Sequence, residues 1–177
     1  MNQNEAMSPQ DGDVVDAVVG LKAGDPLFAV RHAREKVSSA TQASYDLFFG
    51  EGSAAFPVHE RLAVAWYASL LSRSESLARH YEQKLDASKL DATVLDAIRR
   101  DALDTLAPTR LSAMLAFTRK LITRPVEGDE AALQALTHAG IATADVVTLA
   151  QLVAFLSYQI RLAAGLAAMK ALEAEAK

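Results

Sequence analysis

From Asp13 onward, apolar residues recur at spacings of three and four, and no segment alternates apolar and polar positions with the β-branched enrichment of a strand. The pattern predicts an all-α fold, a bundle of roughly seven to nine helices. Val14 to Lys22 reads as a short first helix. It ends at Ala23-Gly24-Asp25-Pro26, where glycine permits a left-handed turn and proline starts the next helix. Leu27 to Phe49 supplies one helix or two. Pro57 opens another, which runs to Leu71 with Leu62, Ala65, Trp66, Ser69 and Leu70 on one flank. Ser72-Arg73-Ser74-Glu75 has the form of a capping box and predicts a helix from there to Asp86. Further helices are expected at Ala92–Asp104, Thr109–Thr123, Asp129–His138 and Thr143–Glu173. Pro108, Pro125 and Gly140 stand at their ends.

The last of these helices is apolar around most of its circumference, which predicts burial in the core together with a subunit interface, and hence a homo-oligomer. Gln151, Ser157, Gln159 and Arg161 interrupt it, so it reads as a buried helix and not as a membrane span. Residues 1–12 form a polar lead with nothing to pack and are expected to be mobile, and residues 13–177 form one domain. The lead lacks the basic start and apolar stretch of an export signal, so a cytoplasmic protein is expected. Gly50-Glu51-Gly52-Ser53 follows a helix and lacks the third glycine of a dinucleotide site, so it reads as a plain loop.

Composition narrows the functions. Net charge is −4 with basic and acidic residues interspersed, which leaves nucleic-acid binding without an electrostatic source. The chain has no cysteine and therefore no thiol nucleophile, thiolate metal site or disulfide of its own. His59-Glu60 begins a zinc-protease motif, but position 63 is alanine where the second histidine is required. His32 and His138 are far apart, so no metal and no cofactor is expected.

One segment carries candidate chemistry. On a helix starting near Arg73, the residues Arg73, Ser76 and His80 share a face. The imidazole would exchange a proton near neutrality, Arg73 would hold a substrate carboxylate, and Ser76 would position either by a hydrogen bond. Each has a structural explanation too: a packed histidine, a solvated arginine, a small packing residue. Tyr45, Tyr67, Tyr81 and Tyr158 line either a pocket or an interface.

The run from Glu60-Arg61 through Ser72-Arg73-Ser74-Glu75-Ser76-Leu77-Ala78-Arg79-His80 resembles the carboxymuconolactone decarboxylase and alkylhydroperoxidase D superfamily, in its peroxidase-related branch. Members carry a glutamate on one helix, then Cys-x-x-Cys at a helix start, then a histidine four residues after the second cysteine. His80 falls at the histidine, Ser76 and Arg73 at the two cysteines, and Arg61 at the glutamate with Glu60 one residue before it. Leu111 to Leu121 and Gly140 to Leu162 resemble the second half of such proteins. The resemblance implies an alkylhydroperoxidase D-like bundle, in which His80, Ser76 and Glu60 would be catalytic and Arg73, Arg61 and Tyr81 would bind substrate. Without the cysteines, thiol peroxidase turnover is not expected. The resemblance leaves two functions: acid/base chemistry on a small organic acid, or a non-catalytic partner of a cysteine-bearing relative.

Overall fold

The computed structural model describes residues 12–50, 56–86 and 89–175. Nine α-helices are found among the described residues, and no strand. They are α1 (Val14–Val19), α2 (Pro26–His32), α3 (Glu35–Phe49), α4 (Val58–Leu71), α5 (Glu75–Lys84), α6 (Ala92–Arg100), α7 (Arg110–Thr123), α8 (Glu130–His138) and α9 (Thr143–Glu175). Single 3-10 turns, Leu103–Thr105 and Pro125–Glu127, lie before and after α7. Residues 1–11 of the expected mobile lead and residues 51–53 of the glycine loop lie outside the described residues.

Helix α4 is the axis of the bundle. Every residue from Arg61 to Ser69 is buried, and α5, α7 and α9 pack around it. Ala63, Ala65, Ala68 and Ser69 keep its surface low enough for such close neighbours, while Trp66 and Tyr67 fill the spaces between them. The Ser69 hydroxyl donates to the Ala65 carbonyl at 2.8 Å, so this buried polar group is satisfied within the helix. Leu77, Met114, Leu115, Leu149, Leu152 and Leu156 complete the interior.

Backbone geometry decides one boundary that the sequence left open and corrects others. The stretch from Leu27 to Phe49 is two helices, broken at Ala33-Arg34. The Ser72–Glu75 capping box does not form. Instead Ser74 N–H donates to Ser69 O (2.9 Å) and Arg73 N–H to Leu70 O (3.0 Å), the paired bonds of a C-terminal Schellman cap, with Arg73 left-handed at φ 54°. The segment therefore ends α4, and α5 begins at Glu75. Asp101 makes the same cap at φ 53° after α6, so the helix expected to reach Asp104 stops at Arg100.

Helix α9 is long and apolar enough to cross a membrane by length and composition, but one side of it fills the core against α1, α4 and α7. Its other side exposes Val147, Tyr158, Met169 and Leu172. Near its end, Lys170 Nζ donates to the carbonyls of Val19 (3.2 Å) and Gly20 (2.5 Å), placing a cation on the carbonyl end of α1.

Candidate functional site

His80 lies midway along α5 and is half-buried against α3. Its Nε2 is 2.8 Å from the Tyr45 hydroxyl, and the rings of Tyr45 and Tyr81 stand 5.7 Å and 5.2 Å from the imidazole. Phe49 extends the aromatic wall, 5.1 Å from Tyr81. Burial, with Lys84 one turn away, lowers the His80 pKa to about 4. The ring is therefore neutral at physiological pH and does not exchange a proton near neutrality as an ordinary imidazole would. Burial raises the pKa of the Tyr45 phenol, so the pair is a neutral hydrogen bond.

Tyr81 points the other way. It is sealed from solvent and donates its hydroxyl to Gln159 Oε1 of α9 at 2.5 Å. Ser76, one turn before His80, is half-buried on the same helix. Arg73 is not on that helix at all: it is exposed in the left-handed corner between α4 and α5, so the expected shared face of Arg73, Ser76 and His80 reduces to Ser76 and His80.

Glu60 and Arg61 are adjacent on α4 and so diverge by about 100° around the helix. Glu60 reaches Arg110 Nε at 3.4 Å, and Arg110 also binds Asp145 at 2.8 Å, tying α4, α7 and the start of α9 together. Arg61 is buried with its guanidinium 6.0 Å from the Phe56 ring centroid, and burial lowers its pKa. Glu60 thus serves an ion pair with Arg110, and the six candidate residues fall into separate settings, with only His80, Ser76 and Tyr81 on α5.

Sequence reasoning missed a second polar centre. Arg31 of α2 grips both carboxylate oxygens of Asp13 at 2.9 Å and Asp16 Oδ1 at 2.9 Å, while His32 Nε2 lies 2.7 Å from Asp16 Oδ2. The arginine side chain is 5% exposed, and the two carboxylates are buried with it. Asp13 also caps α1 by accepting from Val15 N–H and Asp16 N–H. The only sequence signal was the pair of acids three residues apart at a helix start. Among the described residues no group of three or more histidine, aspartate or glutamate side chains is arranged to hold a metal.

A third network surrounds Tyr67, which is fully buried in α4 and donates its hydroxyl to Asp101 Oδ1. Arg119 of α7 approaches Asp101 at 3.8 Å and Asp104 at 3.2 Å. No protein-family model matches the chain, and no curated protein matches it, so what is inferred of its function rests on its own residues.

Proposed function

We propose that the chain is a cysteine-free protein of the carboxymuconolactone decarboxylase and alkylhydroperoxidase D-like superfamily that acts in the cytoplasm as a non-catalytic assembly subunit, joining copies of itself or a cysteine-bearing relative. The observation that carries this reading is the dispersal of the residues on which chemistry would depend. Glu60 is committed to Arg110, Arg73 sits in an exposed corner, and His80 is a neutral ring bonded to Tyr45. What remains is a helical scaffold whose outer α9 face exposes Val147, Ala154 and Tyr158, with Gln151 on the turn between the first two, and Leu47 exposed on the neighbouring α3. An apolar face of this kind favours another protein surface over water.

The test is hydrodynamic. Light scattering of the purified protein is expected to give a particle larger than the 19.0 kDa chain, and Tyr158→Glu is expected to reduce it to a monomer with unchanged helical circular dichroism. A monomeric wild-type protein that also fails to associate with a cysteine-bearing relative overturns the reading.

One observation favours a second reading, in which the site at His80 handles a small organic acid. The His80–Tyr45 pair is not sealed among aliphatic side chains: Tyr45 is buried, but His80 is half-buried and Lys84 borders the pair, its ammonium 5.7 Å from the Tyr45 ring centroid. Under that reading His80→Gln abolishes a measurable turnover of a small carboxylic acid while the fold survives. Under the scaffold reading the same substitution changes local packing alone.

A further inference from the structure

The segment from Leu103 to Thr109, α7 and α8 line an open cleft of about 720 Å³, none of whose lining residues belongs to the His80 site. That volume lies within the range of roughly 300–1,000 Å³ that accommodates small-molecule ligands. The floor is apolar, formed by Leu103, Leu106, Ala113 and Ala116, and the rim is polar. Most of the rim is already satisfied within the chain. Thr109 and Ser112 hydrogen-bond each other in a complete N-terminal capping box, and Arg110 is held by Glu60 and Asp145. Arg119 differs. Its side chain is 26% exposed, while its nearer partner, Asp104 at 3.2 Å, is 88% exposed. Asp101, at 3.8 Å, already accepts the Tyr67 hydroxyl, which itself meets Arg119, so Asp104 is the partner of the guanidinium that a ligand can replace. An ion pair to so exposed a carboxylate contributes little and exchanges freely with solvent ions. The guanidinium is anchored beside the cleft with a replaceable counter-ion.

We infer that this cleft binds a small amphipathic carboxylate, its anionic head displacing Asp104 from Arg119 and its apolar body lying on the floor formed by Leu103, Leu106, Ala113 and Ala116. A neutral ligand gains the floor but not the arginine. A simple inorganic anion gains the arginine but leaves the floor wet. The ligand class follows from needing both. This inference does not depend on whether His80 is catalytic or on the oligomeric state.

The test titrates the full chain with 4-phenylbutyrate and with its neutral amide, followed by amide shifts in a nitrogen–proton spectrum. The carboxylate is expected to saturate one site, with the largest shifts at Ala113, Ala116 and Arg119, and the amide to bind about tenfold more weakly or worse. Asp104→Asn, at a solvated position where the fold does not depend on the side chain, removes the competing carboxylate and is expected to tighten binding several-fold. Ala116→Phe is expected to fill the cleft and abolish binding, with circular dichroism reporting the fold. Equal binding of acid and amide, no saturation, or indifference to Asp104→Asn would overturn the inference. Arg119→Gln is the less useful variant, because Arg119 also supports Asp101.

Discussion

Tyr81 and Gln159 meet across the α5–α9 contact through one hydrogen bond of 2.5 Å, hydroxyl to amide oxygen, with both side chains at 0% exposure. The other end of that amide, Gln159 Nε2, meets no acceptor among the described residues. A buried unpaired donor costs about 1–3 kcal/mol. The relationship predicts a sign pattern that area burial alone does not. Tyr81→Phe strands both ends of the amide and is expected to destabilise by about 1–3 kcal/mol. Adding Gln159→Leu is expected to recover that loss or exceed it, because the double variant leaves no polar atom behind. Urea denaturation of the four proteins in the cycle checks this. A double variant less stable than Tyr81→Phe alone would show that the amide has a second partner.

His80 makes stability depend on pH with a definite direction. Its folded pKa, about 4, lies below the ordinary histidine value of 6.5 because burial and Lys84 disfavour the imidazolium. Between these values the unfolded chain binds a proton that the folded chain does not, so the His80 contribution to stability falls as pH drops from 6.5 toward 4 and is constant above 7. Denaturation midpoints measured from pH 7.5 to 4.5 are expected to decline less steeply for His80→Gln than for the wild type. In the proton spectrum the His80 ring should titrate near pH 4. A midpoint near 6.5 would contradict the burial argument.

Most of the helical punctuation was readable because it is written in residues with one conformational meaning. Asp25-Pro26 starts a helix, Gly140 ends one in a left-handed turn, and Thr109 caps α7 with Ser112. The reading failed where an ordinary residue does a glycine's job. Arg73 and Asp101 occupy left-handed positions that arginine does not announce and aspartate announces only weakly, so neither cap stands out in the sequence as a glycine would. The site was less legible for a different reason. Glu60 and Arg61 differ by one position, and only the packed bundle decides that one turns to Arg110 and the other inward. Gln159 was visible as a polar interruption in an apolar helix, but Tyr81 as its partner, 78 residues earlier, was not.

The left-handed arginine gives a stabilising substitution. A non-glycine residue costs roughly 1–2 kcal/mol at such a backbone angle, and glycine relieves it at a modest entropic cost in the unfolded chain. Arg73 is exposed, so the side chain itself contributes little packing. Arg73→Gly is therefore expected to raise stability by about 0.5–1 kcal/mol, visible as a higher thermal midpoint at unchanged helical content. A lower midpoint would show that the Arg73 side chain holds the α4–α5 corner through contacts of its own.

Arg31 offers the largest expected effect on stability. It neutralises Asp13 and Asp16 together, in a setting where each of the three side chains is at most 6% exposed, and it ties α2 back onto the start of α1. Removing one partner of a buried ion pair leaves an uncompensated charge, a loss of about 3–5 kcal/mol, whereas removing charges together costs much less. Arg31→Met is expected to destabilise by that amount. Asp16→Asn in the same chain is expected to restore part of it, since one buried charge disappears while Asp13 keeps its capping bonds to Val15 and Asp16 N–H. Chemical denaturation of the single and double variants measures the difference. Equal stability of the two would mean that the contact with His32, 2.7 Å away, is enough for Asp16 without help from the arginine.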